Sequence, residues 1–278
     1  MTEQKKILFV IPCYNDGQFI RNAIASVEDC PSELCELIIV DDGSTDDKTI
    51  QILSELEANG YRVLSQENRG PAAARNAGIA ASDSAYILPL DADNTIRPEF
   101  IEKAVNVLNA NPEISIVHSN FQYSGLADHV CEIGPFDIRQ MLYTNSIDTC
   151  ALFRRKVWED CGGYDEHDDL GLHEDWEFWL NAYSHGKQFF HVDMVGFDYT
   201  CREGSRLSGA RGTENWQRAE QYLYSKHALL LRDHYRDYHR WDYHGRELRR
   251  RPIRTLFRLF VNAVSKRVHN RIYRVREP

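Results

Sequence analysis

At 278 residues, 42% apolar and 27% charged, the chain has the composition of an ordinary globular protein and the length of one large domain or two modest ones. No apolar run approaches the roughly 18 residues of a membrane span, and there is no internal repeat or low-complexity tract. The net charge of −9 is unevenly spread: residues 232–278 carry 14 Lys and Arg against 5 Asp and Glu, a net of +9, so residues 1–231 carry −18. An acidic body speaks against nucleic acid as a partner. The opening MTEQKKILFVIPCYND has a short apolar run that soon meets a Pro and an Asn-Asp turn, unlike a signal peptide. Seven Cys without CxxC pairing are expected to be reduced thiols, as in a cytoplasmic protein.

In chain order, KKILFVIP predicts a strand. NDGQFIRNAIASV follows with Phe19, Ile20, Ala23, Ile24 and Val27 at helical spacing and Asn15 or Asp16 as N-cap. ELIIVDD predicts a second strand. GSTDDKTIQILSELEANG predicts a helix capped by Ser44 or Thr45 and closed at Asn59-Gly60. YRVLSQ is a third strand, GPAAARNAGIAAS a helix with Pro71 in its first turn, AYILPL a fourth strand, RPEFIEKAVNVLNANP a helix and EISIVHSNFQY a fifth strand. After Tyr123 the pattern loosens. NSIDTCALFRRKVWEDCGGYDE reads as a short strand, a helix and a Gly-Gly turn, and HEDWEFWLNAYSHG as a helix opened by acids. KQFFHV and VGFDYT read as two short strands, and residues 213–235 as one long helix.

Strands alternating with helices, the strands almost wholly apolar, imply a mainly parallel α/β sheet covered on both faces. Ligands bind such sheets beyond the carboxyl ends of the strands. Tyr14 and Asn15, Asp41 and Asp42, Asn68 and Arg69, and Asp91 and Asp93 follow the first four strands and should converge on one rim. The fourth strand is the most telling. It is apolar up to Leu90 and ends on two carboxylates one residue apart, and charge at the end of a buried strand is costly unless a cation or hydrogen-bond donors meet it.

IPCYND, IIVDDGSTD, NRGPAAARNAG, LDADN, GGYDE and HEDWEFWL, in this order and spacing, resemble family 2 glycosyltransferases of the GT-A fold over about residues 6–208. A lone DxD is a weak signal, but the six segments together are specific. The resemblance implies a GT-A domain over 1–211, with a nucleotide-binding half to about 123 and an acceptor half beyond it, followed by a helical, basic extension over 212–278. It implies transfer of a sugar, of hexosyl or N-acetylhexosaminyl type, from a nucleotide diphosphate sugar such as a UDP-sugar to an acceptor hydroxyl with inversion, as in polysaccharide biosynthesis. A hard cation, Mn²⁺ or Mg²⁺, would stabilise the departing diphosphate. By resemblance Asp93 holds the metal, while Asp91 faces the ribose or a metal-bound water. Asp42, with Asp41, meets the base of the donor, on which Tyr14 stacks. Pro12, Asn68, Arg75 and Ala92 lie near the nucleotide. Asp175 is the general base, and Glu174 orients the acceptor or its own helix. Helical spacing puts Phe178 and Trp179 on the face of Asp175, as aromatic surface for sugar rings.

The family pattern is interrupted at DYTCREGSRLS, where an Arg or His is often found and no His occurs. Arg202, with Arg206 in reserve, matches best as the diphosphate ligand, so the diphosphate itself would complete the metal shell. Two other readings compete: a sugar nucleotidyltransferase, whose Gly-rich Arg-containing loop is missing here, and an inactive nucleotide-sugar binder, against which Asp91, Asp93 and Asp175 argue. The acceptor would be carbohydrate or lipid-linked. In residues 252–274, Ile253, Leu256, Phe257, Phe260, Val261, Val264, Val268 and Ile272 keep helical spacing among arginines and lysines. Such a helix suits the anionic inner face of a membrane, or alternatively self-association or packing on the acidic body.

Overall fold

The computed structural model describes residues 6–31, 33–203 and 213–235. The first four apolar runs form β1 (Ile7–Cys13), β2 (Cys35–Asp41), β3 (Arg62–Ser65) and β4 (Tyr86–Pro89), which pair in parallel in the order β3-β2-β1-β4. Ile7, Leu8, Phe9, Val10 and Ile11 are all buried, so β1 is apolar on both faces because both are covered. The crossovers are α1 (Gly17–Glu28), α2 (Asp47–Ala58) and α3 (Gly70–Ala80). α3 lies so close to the sheet that a Cβ on Gly78 would stand 2.0 Å from Cγ2 of Val10, and only glycine fits there. The cap of α2 is Asp46, whose carboxylate accepts from the Thr49 N–H, rather than Ser44 or Thr45. Asn15, at φ 57°, instead turns its amide oxygen onto the Thr45 and Asp46 N–H groups and so ties the first loop to the second.

The later elements are β5 (Thr95–Ile96), α4 (Pro98–Ala110), β6 (Ile114–Gly125), β7 (His129–Cys131), α5 (Ile138–Met141), β8 (Leu152–Arg154), α6 (Arg155–Cys161), α7 (Glu174–Ser184), β9 (Gln188–Cys201) and α8 (Glu214–Lys226), with a 3₁₀ turn at Asp168–Leu170. They complete a nine-stranded sheet ordered β3-β2-β1-β4-β8-β6-β9-β5, with β7 paired to β6. Parallel pairing holds for β1 to β4 and for β6 with β9. β8 is the departure: it runs antiparallel to both β4 and β6. An antiparallel strand starts where its parallel neighbours end, so the residues just before β8 arrive at the carboxyl-end rim.

Two expectations for the carboxyl-terminal part change. The strands foreseen over KQFFHV and VGFDYT are one 14-residue strand, β9, whose register against β6 shifts around Asn120 and absorbs the interruption as an irregularity. The helix foreseen over 213–235 breaks at His227, with α8 before it and helix again over 228–235. The chain divides into two compact units, 1–227 and 228–278. The first unit thus extends past residue 211 and includes α8. This follows from side-chain chemistry: α8 buries Ala219 and Leu223, and Lys226 and His227 reach the carboxylate of fully buried Glu177 at 2.9 and 3.1 Å. Arg206 and the amphipathic segment 252–274 lie outside the described residues.

Candidate active site

At the carboxyl ends of the strands a single cleft is lined from several elements. β1 and the turn after it supply Pro12, Cys13, Tyr14 and Asp16; the end of β2 supplies Asp42; the end of β4 supplies Asp91, Ala92 and Asp93. The approach to β8 supplies Asp148 and Thr149, α7 supplies Glu174 and Asp175, and β9 with the residue after it supplies Tyr199, Thr200 and Arg202. Arg75 enters from α3. Asp41 and Asn68 are not among the lining residues. Asp41 accepts from the Ser44 N–H at 2.9 Å, and Asn68 is exposed on the β3–α3 loop.

Asp42 is 2% exposed and its carboxylate is well satisfied. One oxygen accepts from Gln66 Nε2 at 2.7 Å and the Arg69 N–H at 2.9 Å, and the other from the Gly70 N–H at 2.8 Å. An anion at the amino end of α3 is favoured by the helix dipole, so Asp42 fixes the β3–α3 loop beside the cleft as well as lining it.

Arg75 is the joint of the site. Its side chain is 4% exposed, and its guanidinium reaches Asp91 Oδ1 at 2.9 Å and Glu174 Oε1 at 2.6 Å while lying 5.6 Å from the Tyr164 ring centroid. One buried cation therefore ties the DxD turn to the first acid of the ED pair. The next residue ties α3 to the GGYDE segment: Asn76 accepts from Trp158 Nε1 and the Tyr164 N–H, and donates to the Tyr164 carbonyl and to Glu166, each at 2.8 Å. The segments ARN, GGYDE and HED are thus one interlocked unit, although about ninety residues separate them in the chain.

Asp93 meets Arg202, whose Nε lies 2.9 Å from Asp93 Oδ2 and whose Nη2 lies 2.6 Å from Asp16 Oδ1. The Arg202 guanidinium also covers the Phe19 ring at 4.6 Å. Thr200 donates its hydroxyl to the Asp93 carbonyl, and the Thr200 N–H donates to Asn94 Oδ1 at 3.0 Å, so β9 holds the DxD turn in place. Burial and the charge of Asp91 push the Asp93 carboxyl above its ordinary pKa, and Arg202 opposes them.

Asp175 is half-buried at the start of α7. Oδ1 accepts from the Trp176 N–H at 2.7 Å and Oδ2 from Asn145 Nδ2 at 2.8 Å, and no cation bonds it among the described residues. Burial, then Glu174 and Asp148, raise its pKa well above the usual carboxylate range against the opposing pull of Arg75. Asp148 is pushed up to about 7 by burial and by Asp91. Phe178 and Trp179 do not offer surface to sugars: both are 0% exposed and pack in the core with Phe153. Leu172, Thr149 and Tyr199 line the same cleft as Asp175. Sequence reasoning missed Asp16, Asp148, Thr149, Tyr199 and Asn145. IDT before CALF, polar groups abutting an apolar run, was a visible hint of Asp148 and Thr149 alone.

The cleft is lined by seven carboxylates and two arginines. Among the described residues no three His, Cys, Asp or Glu side chains form a ready-made metal cage. A hard cation would therefore have Asp93 and Asp91 as protein ligands and need oxygens from a bound phosphate group.

Comparison with known proteins shows the family and the fold. The family model "Glycosyl transferase family 2" matches residues 8–162, and "Glycosyl transferase family group 2" matches 86–268. The chain is 29% identical over 192 residues to an uncharacterized glycosyltransferase of Haemophilus influenzae, covering 66% of this chain and 73% of the relative. It is 27% identical over 230 residues to the succinoglycan biosynthesis protein ExoU of Rhizobium meliloti, covering 76% and 66%. Among solved structures, S. aureus TarS 1-349 in complex with UDP-GlcNAc superposes with a TM-score of 0.65 at 20% identity, covering 78% of this chain and 65% of that one. The mannosyltransferase PcManGT of Pyrobaculum calidifontis, in complex with GDP-Man and Mn²⁺, gives 0.58 at 20% identity, covering 83% and 65%. The chain spans less than two thirds of ExoU and of both solved structures. The sheet that gathers these acids has the GT-A fold, and the chain belongs to glycosyl transferase family 2 as a glycosyltransferase.

Proposed function

We propose that this glycosyltransferase moves a sugar from a UDP-sugar to a carbohydrate or lipid-linked acceptor hydroxyl, with inversion at the anomeric carbon and Asp175 as general base. The observation that carries the reading is the company of Asp175. It shares a cleft with Asp93 and Asp42, and its oxygens are held by two neutral donors rather than by a cation. A carboxylate so held keeps lone pairs to accept a proton. The acceptor oxygen attacks the anomeric carbon as its proton passes to Asp175 Oδ2, and the bond to the diphosphate oxygen breaks on the opposite face. The nucleoside diphosphate leaves with the bonding electrons.

Asp42 and Tyr14 line the place of the base, Asp91 that of the ribose, and Arg202 can turn from Asp93 and Asp16 to the diphosphate. The excess of acids over arginines fits a divalent cation, Mn²⁺ or Mg²⁺, held by Asp93 with Asp91 beside it and completed by the diphosphate. When bound, it supplies charge stabilisation to the leaving group. The TarS complex favours UDP-GlcNAc as the first donor to try, and PcManGT makes GDP-Man the contrasting one. The similarity to ExoU favours a polysaccharide or its lipid-linked precursor as acceptor. No helix among the described residues is long and apolar enough to cross a membrane. A cytoplasmic enzyme touching the membrane through residues 252–274 fits a lipid-linked acceptor.

Calorimetry with UDP-GlcNAc and GDP-Man, with and without Mn²⁺, tests the donor half of the reading. Asp93→Ala should lose the Mn²⁺-dependent part of nucleotide-sugar binding. Unchanged metal-dependent binding in that variant would remove Asp93 from the role.

A further inference from the structure

Asp175 is not set in place by its own helix alone. The end of α5 and the loop that follows it to β8, residues 142–151, are stapled to α7 by two indoles. Trp176 Nε1 donates to the Met141 carbonyl at 2.5 Å and Trp179 Nε1 to the Ile147 carbonyl at 3.1 Å, both bonds buried. Ile147 is itself 2% exposed. Between the staples Asn145 is oriented in turn. Its Oδ1 accepts from the Ile147 N–H at 3.3 Å, which leaves the Nδ2 side to face Asp175 Oδ2 at 2.8 Å. The amide assignment is therefore fixed by chemistry, because a flipped amide would put oxygen against carboxylate oxygen and N–H against N–H.

We infer that Asn145 is the positioning residue of the base: its amide, carried by a loop that Trp176 and Trp179 pin to α7, fixes the rotation of the Asp175 carboxylate and leaves one lone pair of Oδ2 facing the cleft. The inference rests on the reading of Asp175 as base. With Trp176 N–H on Oδ1 and Asn145 Nδ2 on Oδ2, the carboxylate has one donor on each oxygen and little freedom to turn. The amide also favours the ionised form, which a base needs, in surroundings that disfavour it. The charged and titratable groups facing Asp175 are Glu174 beside it on α7, Asp148 on the same loop, Arg75 from α3 and Tyr164. Two of these four, Glu174 and Asp148, oppose its ionisation, and the neutral amide of Asn145 orders Oδ2 without being a permanent counter-charge.

Two substitutions separate positioning from loop structure. Asn145→Asp keeps the oxygen that accepts from the Ile147 N–H but cannot donate, whereas Asn145→Ala loses both contacts. In the full chain, carbon-13 NMR of the Asp175 carboxyl, assigned with Asp175→Asn, should show its titration midpoint raised by about one to two pH units in Asn145→Ala, and further in Asn145→Asp. Turnover of UDP-GlcNAc with Mn²⁺, water serving as acceptor, should fall about 10²-fold in both variants, with Kd for UDP-GlcNAc unchanged. A melting temperature within a few degrees of the parent shows that each variant is folded. An Asn145→Asp protein that keeps both the parent midpoint and the parent turnover overturns the inference and leaves Asn145 as a loop-shaping residue. That result with Asp175→Asn inactive spares the base; full turnover in Asp175→Asn removes the base itself.

Discussion

The two sides of the cleft hold their acids differently. On the donor side, Asp42 is saturated by backbone N–H groups at the amino end of α3 and by Gln66, and Asp93 is met by Arg202. On the acceptor side, Asp175 has one amide and one N–H, and Asp148 accepts from the Cys150 N–H at 2.8 Å. Asp42 thus has three donors and Asp93 a guanidinium, whereas the proposed base, Asp175, has two neutral donors and no cation among the described residues. Arg75 stands at the junction, bonded to one acid of each side, Asp91 and Glu174.

Cutting that junction should have the largest effect. Arg75→Met leaves Glu174, whose side chain is 9% exposed, without its cation. Stability should fall by about 3–5 kcal/mol, read as a lower midpoint in urea. A loss below about 1 kcal/mol would mean that the two sides are not mechanically joined through this residue.

The acceptor side also leans on α8, and a paired substitution sharpens the point. Leu223 is 0% exposed in α8, whereas Leu229, in the second unit, is 68% exposed. Leu223→Ala should destabilise by about 2–5 kcal/mol, and Leu229→Ala should stay within about 0.5 kcal/mol. Equal effects in thermal melts would dissolve the distinction between a packed α8 and the segment after it.

A smaller effect separates titration of the fold from titration of the site. His118, on β6, is 2% exposed with neither ring nitrogen bonded, its ring 5.1 Å from that of His191. Burial, then the neighbouring His191, lowers its pKa to about 3. The folded pKa lies below the unfolded one, so the folded protein resists a proton that the unfolded chain accepts. Stability is complete above about pH 6.5 and declines as pH falls toward 3, by about 2 kcal/mol between pH 7 and 5 from this group. His118→Leu should lose that part of the pH dependence. If parent and variant lose the same stability between pH 7 and pH 5 in urea melts, His118 does not govern the acid sensitivity of the fold.

The donor side was the more legible in the sequence. β1 to β4 alternate with helices whose apolar spacing and turn residues are local, and Asp42, Asp91 and Asp93 follow directly from strand ends. The acceptor side depends on contacts between distant segments. Asp148 and Thr149 reach the cleft because β8 is antiparallel, and no local pattern announces the direction of a three-residue strand. Phe178 and Trp179 share a helix face with Asp175, but that face turns into the core, where Phe153 and Tyr164 meet it. Helical spacing says which residues are neighbours and does not say which side of them is wet. Asn145 had no signal of its own, since its importance comes from two tryptophans that bring its loop to α7.

The most direct test of the account is the transfer reaction of Asp175→Asn. The substitution keeps the shape of the side chain and removes its capacity to accept a proton. With the donor identified by calorimetry, the variant should bind the nucleotide sugar as the parent does while turnover falls by about 10²-fold or more, and the parent's product should show inverted anomeric configuration by NMR. Transfer by Asp175→Asn at the parent rate, or retention of configuration in the parent's product, would contradict it.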